Sequence, residues 1–323
     1  MRAVIQPRYG TPATLQLAEV PTPEPGPDEA LVRVHASSVN AADLEYLAGM
    51  AMVRLASPRR PGHRICGSDV AGTVERVGSE VTTLPLGTEV MADLSAEGFG
   101  AFAEYVSVRA TALWPKPPSL SMQAAAAVPS AAFVAMRGIR DPVKVGPGSE
   151  VLINGAGGGM GTYALQIARA RGAVVTAVDR ADKLDRLRDL GAAEVIDYRQ
   201  QDYTALEGRY DLILDIQAAH SVRANRRVLR PGGAYAVVGG STARVIGAAL
   251  LGPLLSRLDD RKLGLLFGYP NREEDARDVA GLIEAGSLAP MIDRVVPLDE
   301  APAAMQAVAD GEVFGKAIIA IAA

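Results

Sequence analysis

The sequence predicts an α/β protein in which a doubly wound parallel sheet accompanies a second, β-rich region. Three observations carry this. From about residue 122 to about 262, short apolar strand patterns alternate with helical ones. The first 120 or so residues carry strand signals punctuated by proline and glycine. Five glycines fall within the seven residues 155–161, between a strand pattern and a helical one.

Length and composition set the frame. At roughly 100–200 residues per domain, 323 residues suggest two domains. An apolar fraction of 49% with 22% charged residues is ordinary for a globular chain with a sizeable core. A net charge of −4 gives no support to a nucleic-acid partner. Cys66 is the single cysteine, so no intrachain disulfide can form and nothing points to an oxidising compartment. The opening "MRAVIQPRYG" reads as strand and turn, without the apolar core of a secretion signal. The most apolar later stretch, "VIGAALLGPLLSRL", is broken by Pro253 and Arg257 and falls short of the ~20 residues of a membrane span. The expected location is the cytoplasm, with neither membrane nor nucleic acid as partner.

The elements follow in order. "EALVRVHASSV" alternates in part and follows the rigid lead-in "PTPEPGP"; "VAGTVERVGSEV" and "AFAEYVSV" give further strands. The prolines of "WPKPPSLS" remove backbone donors, so that segment is neither helix nor central strand and reads as a linker. "MQAAAAVPSAAFVAMRGIR" is helical with a break at Pro129. Then come "EVLING", a helix, "VVTAVD", the helix "ADKLDRLRDLG", "EVIDY", "YDLILDI", the helix "SVRANRRVLRPGG" and the strand "AYAVVGG". Such alternation implies βαβ units with helices on both faces of the sheet. Beyond about residue 262 stand the helix "EEDARDVAGLIEAGSL", "PMIDRVVPL", a helix near "EAPAAMQAVADG" and a last strand "KAIIAIA".

Glycine costs roughly 0.5–1 kcal/mol against alanine in regular structure, so a cluster needs a reason. In "VLINGAGGGMGTYALQIARARGAVVTAVDR" the glycines join an apolar strand, 151–153, to a helix beginning near Tyr163 with Met160, Ala164, Ile167 and Ala168 on one face. That junction is where a dinucleotide pyrophosphate docks, on free N–H groups at the positive end of a helix. The next strand ends at Asp179, where a Rossmann fold reads the adenosine ribose. Tight helix–sheet packing without a ligand explains one or two glycines poorly and five hardly at all. A methyltransferase also has such a loop, but leaves the β-rich first 120 residues unexplained.

Several ordered motifs give the chain a family resemblance. "SSVNAADLEYLAG", "GSDVAGTVERVGSEV", "GAFAEYVSV", the loop Ala156, Gly157, Gly158, Gly159, Met160, Gly161, "LGAAEVIDYRQQDY" and "GKAIIAI" together resemble the medium-chain dehydrogenase/reductase superfamily, in its zinc-independent quinone oxidoreductase-like branch. The resemblance covers essentially the whole chain. It implies a partly open, GroES-like β-barrel built from 1–122 and 263–323, around a Rossmann domain at 123–262, with the cofactor in the cleft between them. It also implies a homodimer.

Zinc is not expected. Zinc-dependent members carry a cysteine where this chain has Asn40, a histidine where it has Ser68 (before the acid Asp69), and a four-cysteine lobe. Amide and hydroxyl groups cannot replace soft or imidazole ligands. What remains is hydride transfer from a reduced nicotinamide to a conjugated acceptor, a quinone or an α,β-unsaturated carbonyl, which takes hydride without a Lewis acid. A ketone or alcohol oxidoreductase, a non-redox enzyme, and a binding protein that keeps the nucleotide site stay open as alternatives.

The resemblance names the remaining candidates. Asn40 falls near the nicotinamide, as a catalytic and cofactor-contacting residue; the other reading is a turn residue. Asp43 reads as a helix cap. Tyr46 is a candidate proton donor or substrate partner, or a core tyrosine. His35 and His63 read as strand or surface residues, and Cys66 as a small buried hydrophobe. Gln217, Gly239, Gly240 and Lys316 complete the cofactor set. Val134 and Ala135 stand where the branch has threonine and alanine, and Gln217 and Ala218 replace a common valine–glycine. Asp179 favours the ribose diol of NAD, whereas Arg180, Lys183 and Tyr198 resemble a 2′-phosphate-reading set. Two cations beside one acid tilt the expectation to NADP(H) over NAD(H). Residues 46–55, 97–99 and 245–269 are expected to line the site of a small, apolar, planar carbonyl or quinone substrate.

Overall fold

The computed structural model describes residues 1–266 and 272–321, and for Ala51 and Met52 the backbone alone. The described residues form two compact units, one from 1–131 and 290–323, the other from 132–289.

The first unit is β-rich. It contains β1 (Arg2–Ile5), β2 (Gln16–Glu19), β3 (Glu29–Ser38), α1 (Ala41–Ala48), α2 (Ala51–Ala56), β4 (Asp69–Val77), β5 (Glu89–Asp93), β6 (Tyr105–Arg109), β7 (Trp114–Pro115) and α3 (Met122–Ala126). Here β3, β4 and β5 pair antiparallel, and β6 adds to β3. Two-residue β7, carrying Pro115, lies at the sheet's edge, the place a proline-bearing strand tolerates. Val32, Val34, Val70, Val74, Val90, Phe102 and Val106 form one buried core.

The second unit is the doubly wound sheet. Its elements are α4 (Pro129–Arg140, begun in the first unit), β8 (Glu150–Asn154), α5 (Gly159–Ala170), β9 (Val174–Asp179), α6 (Leu184–Asp189), β10 (Glu194–Asp197), β11 (Tyr210–Asp215), α7 (Val222–Val228), β12 (Leu229–Val237), α8 (Thr242–Leu255), β13 (Lys262–Leu265) and α9 (Glu273–Glu284). Strand order is β10-β9-β8-β11-β12-β13, every pair parallel. This is the 3-2-1-4-5-6 order of a dinucleotide-binding sheet. The chain then returns to the first unit as β14 (Ile292–Pro297), α10 (Ala301–Ala309) and β15 (Lys316–Ala320), and β15 pairs with both β14 and β3.

Local differences from the sequence reading have physical causes. The helix read through "SVRANRRVLRPGG" stops at Val228, because 229–237 pairs with β11 as strand. α5 starts at Gly159 rather than near Tyr163, and all of 161–168 is buried rather than one face. α8 runs through Pro253, which lies in its last turn. The second unit extends past 262 to 289 because β13 completes its sheet and α9 is tied to α4. Buried Arg137 donates to buried Asp275 at 2.5 Å, and Arg140 reaches the same carboxylate at 2.6 Å. Removing one partner of such a pair typically costs about 3–5 kcal/mol.

Candidate functional site

In the second unit the expected cofactor residues gather at the carboxyl ends of the parallel strands, the edge where such sheets bind ligands. The glycine loop leaves β8 and enters α5, whose N-cap, Gly158, makes no side-chain cap bond. The first-turn N–H groups of a helix have no partner within the helix, so they are available to an anionic ligand. Each measurable glycine has its own reason. Gly155 has φ +84°, a left-handed conformation. A Cβ on Gly161 would lie 2.3 Å from the Gly155 carbonyl oxygen, so α5 needs bare backbone to pack there. Ala156 is fully buried beneath that turn. A Cβ on Gly157 would lie 2.7 Å from the Lys183 stem, and the Gly157 N–H donates to Asp179 Oδ2 at 2.7 Å. Gly158 is different. A Cβ there meets nothing closer than the Gly155 oxygen at 3.5 Å, so no protein atom demands glycine. That open cradle at a helix N-terminus, with Gly159 and half-buried Met160 as the first helical residues, fits a dinucleotide phosphate.

Asp179, at the end of β9, is not a free carboxylate. Its Oδ2 takes the Gly157 N–H and its Oδ1 the Arg180 N–H at 2.8 Å, which clamps the loop while leaving lone pairs for a ribose. Arg180 forks onto Asp182 with two 2.9 Å bonds, and that pairing raises the guanidinium pKa. Asp182 is thus a second acid beside the two cations Arg180 and Lys183, and it is the one that Arg180 engages. Lys183 is buried beside the loop, Tyr198 is exposed just beyond β10, and the Arg199 guanidinium lies 5.7 Å from the Tyr198 ring.

Gln217 follows β11, and Gly239 and Gly240 follow β12. Gly240 has φ +114°, and a Cβ there would sit 2.2 Å from the Ala218 nitrogen, so the two loops touch backbone to backbone. Beneath them is a network that sequence reasoning missed. Buried Asp215 accepts from Asn154 Nδ2 at 2.8 Å and Tyr235 Oη at 2.9 Å, and Asn154 also donates to the Gln217 carbonyl at 3.1 Å. Burial raises the Asp215 carboxyl pKa. The visible signal was a polar residue closing each of two apolar strands, "EVLIN" and "YDLILD".

The first unit gathers Asn40, Asp43, Ser68, Asp69 and Lys316. Lys316, 1% exposed, donates to Asn40 Oδ1 at 2.5 Å and to Asp69 Oδ2 at 3.3 Å. Asn40 Nδ2 donates to Ser68 Oγ at 3.0 Å and to Asp69 Oδ2 at 2.8 Å. Ser38 Oγ adds a 2.7 Å bond to the same Asp69 oxygen, and the Ser130 N–H binds the other at 2.9 Å. Both amide protons of Asn40 are therefore engaged inside the protein. Lys316 is an internal cation between a carboxamide and a carboxylate. Asp43 Oδ2 accepts the Asn40 N–H at 2.8 Å and the Ser68 hydroxyl at 3.1 Å, capping α1; its Oδ1 is buried without a partner among the described residues. Burial pushes this carboxyl up to about 7. The positions where zinc-dependent relatives place metal ligands thus hold an amide and a hydroxyl committed to hydrogen bonds. Among the described residues no cluster of three or more His, Cys, Asp or Glu could hold a metal.

Tyr46, half-buried on α1, accepts the His63 N–H at 2.8 Å. Among the described residues its own proton has no acceptor. His35 bonds Thr73 across β3 and β4, and Cys66 is buried with its thiol pKa pushed up by burial. Of the expected substrate-lining segments, residues 267–269 lie outside the described residues.

Comparison with known proteins agrees with this geometry. The family model for the alcohol dehydrogenase GroES-like domain matches residues 26–118, and that for zinc-binding dehydrogenase matches 190–319. The mouse protein "NAD(P)H oxidoreductase RTN4IP1, mitochondrial" is 31% identical over 331 residues, covering 91% of this chain and 82% of its own. The 2-methylene-furan-3-one reductase of Solanum lycopersicum is 28% identical over 324 residues, covering 96% and 76%. The quinone oxidoreductase from Coxiella burnetii superposes with a TM-score of 0.89 at 26% identity, covering 100% of this chain and 99% of that one. The chain belongs to the medium-chain dehydrogenase/reductase superfamily, in its quinone oxidoreductase-like branch.

Proposed function

We propose that this protein is a zinc-independent, NADPH-dependent reductase of quinones and α,β-unsaturated carbonyl compounds, acting as a cytoplasmic homodimer. The observation that carries the redox reading is the open cradle at Gly158, set among loops that all end on the carboxyl edge of one parallel sheet. When bound, the reduced nicotinamide supplies a hydride. The chain's own groups do the rest. The N-terminus of α5 holds the pyrophosphate, Asp179 fixes the loop, and the contact between Ala218 and Gly240 sets the shape of the nicotinamide end. The reading without zinc rests on the donor set: Asn40 and Ser68 are poor ligands, and their polar atoms already serve Lys316, Asp69 and Asp43.

Hydride enters the acceptor's β-carbon, the electron pair moves to the conjugated oxygen, and a proton completes the α-carbon; a quinone ends as its hydroquinone. Tyr46 is the side chain with a proton to offer, and water is the alternative donor. The chemistry is tested by isotope. With cofactor deuterated at C4, an enone product carries deuterium at the β-carbon, and heavy water labels the α-carbon. Deuterium on a carbonyl carbon identifies a ketone reductase and rejects the proposal.

The NADPH reading assigns the 2′-phosphate to Arg180, Lys183 and Tyr198, with Arg199 adjacent. It requires Arg180 to exchange Asp182 for phosphate, a charge-assisted bond of the stronger kind. Arg180→Ala is expected to weaken NADPH about tenfold or more while sparing NADH. Asp182→Asn is expected to strengthen NADPH. Equal effects on both cofactors in a fluorescence titration would reject the assignment.

The homodimer reading rests on α8 and β13. The helix buries Ala248 and Gly252 but exposes Ile246, Leu250, Leu251 and Leu254, while β13 is the sheet's edge strand. An open edge beside an apolar helix can continue across a two-fold axis. No described helix is long and apolar enough to cross a membrane.

A further inference from the structure

Phe99 is the one described residue other than glycine with positive φ, +63°. It sits between Gly98 at +105° and Gly100 at +113°, so three consecutive residues adopt conformations that disfavour side chains. A bulky residue held there is strained and persists only where its surroundings fix it. They do. The Phe99 and Glu97 N–H groups both donate to the Leu94 carbonyl, at 3.0 and 2.9 Å. Glu97 is forked by Arg109 at 2.7 and 2.5 Å, and the Ala101 N–H is bound to Gly67 at 3.0 Å. Gly98 lies against the His63 ring, which a Cβ would approach to 2.8 Å.

Core packing does not account for this ring. Phe102, Phe133 and Phe314 are each at most 1% exposed, whereas Phe99 is only half-buried. Its neighbour is Tyr46, with centroids 4.6 Å apart and planes inclined by 35°; the His63 ring centroid stands 6.0 Å from that of Tyr46. The Tyr46 hydroxyl, held by the His63 N–H, keeps its proton for an outside acceptor. At that separation the two rings are stacked rather than side by side, so Tyr46 backs one face of Phe99, and the half-buried Phe99 ring lies near an oriented hydroxyl, a pairing suited to a planar conjugated carbonyl.

We propose that Phe99 is a specificity-determining residue, whose ring, braced by Tyr46, is a platform on which an aromatic or quinonoid acceptor stacks. This rests on the reductase reading above and narrows its substrate class to flat, extended acceptors over small open-chain enones.

The test compares 1,4-naphthoquinone with cyclohex-2-enone in Phe99→Gly, Phe99→Leu and Phe99→Trp, with calorimetric binding of both acceptors and of NADPH measured beside turnover. Glycine is at ease at φ +63°, so Phe99→Gly should fold with a melting temperature near wild type. Naphthoquinone binding should weaken roughly tenfold more than cyclohexenone binding, the scale of an aromatic contact. Phe99→Leu should show the same selective loss, and Phe99→Trp should not. NADPH affinity should stay at wild type in all three. Equal losses for both acceptors, a loss of NADPH affinity, or undiminished naphthoquinone binding in Phe99→Gly would overturn the proposal. If Phe99→Gly fails to fold, Leu and Trp variants that bind naphthoquinone equally overturn it instead. Wild-type protein that binds naphthoquinone through Phe99 but reduces no acceptor removes the reductase reading and keeps the platform.

Discussion

Gly158 and Gly161 are three residues apart and differ in what they exclude. At Gly158 a side chain meets open space at φ −85°, so Gly158→Val should fold with stability within about 1 kcal/mol of wild type. It should nonetheless lose cofactor binding, because the valine occupies the phosphate's place. At Gly161 even alanine collides with the backbone of Gly155 and Ala156, so Gly161→Ala should lower the melting temperature first. Thermal melts beside fluorescence titrations separate the two; a Gly158→Val variant with unchanged affinity would remove the loop from the cofactor site. Asp43 gives a second residue-scale prediction. Burial is the largest cause of its rise from 3.8 to about 7, and the neighbouring Asp69 charge adds to it, while Lys316 and the bonds from Asn40 and Ser68 oppose it. The folded state therefore binds the Asp43 proton more tightly than the unfolded one. That stability is fully present below about pH 4 and is lost as pH rises through about 7. Asp43→Asn should flatten this part of the stability profile in urea melts between pH 4 and 8. Parallel profiles for variant and wild type would show that Asp43 stays ionised.

At the scale of elements, α8 is the exception to the rule that a surface helix turns its polar face outward. Leu250 is 66% exposed and Leu254 56%, while the contact of Gly252 with Leu263 holds the opposite face against β13. A double substitution, Leu250→Glu with Leu254→Glu, should give a folded monomer by light scattering at micromolar concentration. A wild type that is already monomeric would reject the homodimer reading. The element pattern was largely legible, because a parallel sheet buries whole strands and leaves continuous apolar runs. The start of α5 was not, since glycine carries no hydrophobic period and the helix begins within the glycine loop. The end of α7 was missed because the helical reading ran on through residues 229–233, whose proline and glycines lie in β12.

For the whole molecule, the prediction concerns metal. Dialysis against a strong chelator should leave activity intact, and elemental analysis should find no stoichiometric zinc; zinc lost together with activity would contradict the reading drawn from Asn40 and Ser68. The place of the glycine loop between strand and helix, the strand end at Asp179 and the family were legible because each rests on local patterns. The partners of Asn40 and Lys316 were not, because they come from residues far apart in sequence: Lys316 was read as a cofactor contact, and the structure commits it to Asn40 and Asp69. Asp182, two residues from Arg180, was visible yet omitted, since sequence shows a charge but not whom it faces.

The Lys316–Asp69 pair spans 247 residues, and this sets an order of events during synthesis. At roughly 5–20 residues per second, the ribosome takes about 10–50 s to deliver the ammonium after the carboxylate. Throughout that interval Asp69, Asn40, Ser38 and Ser68 form a polar patch that cannot be buried in its final state, and β3 lacks β15 as a neighbour. The doubly wound unit at 132–289 is contiguous and leaves the ribosome whole during the same wait. The nascent β-rich half therefore begins first and is completed last, when β15 takes its place beside β3.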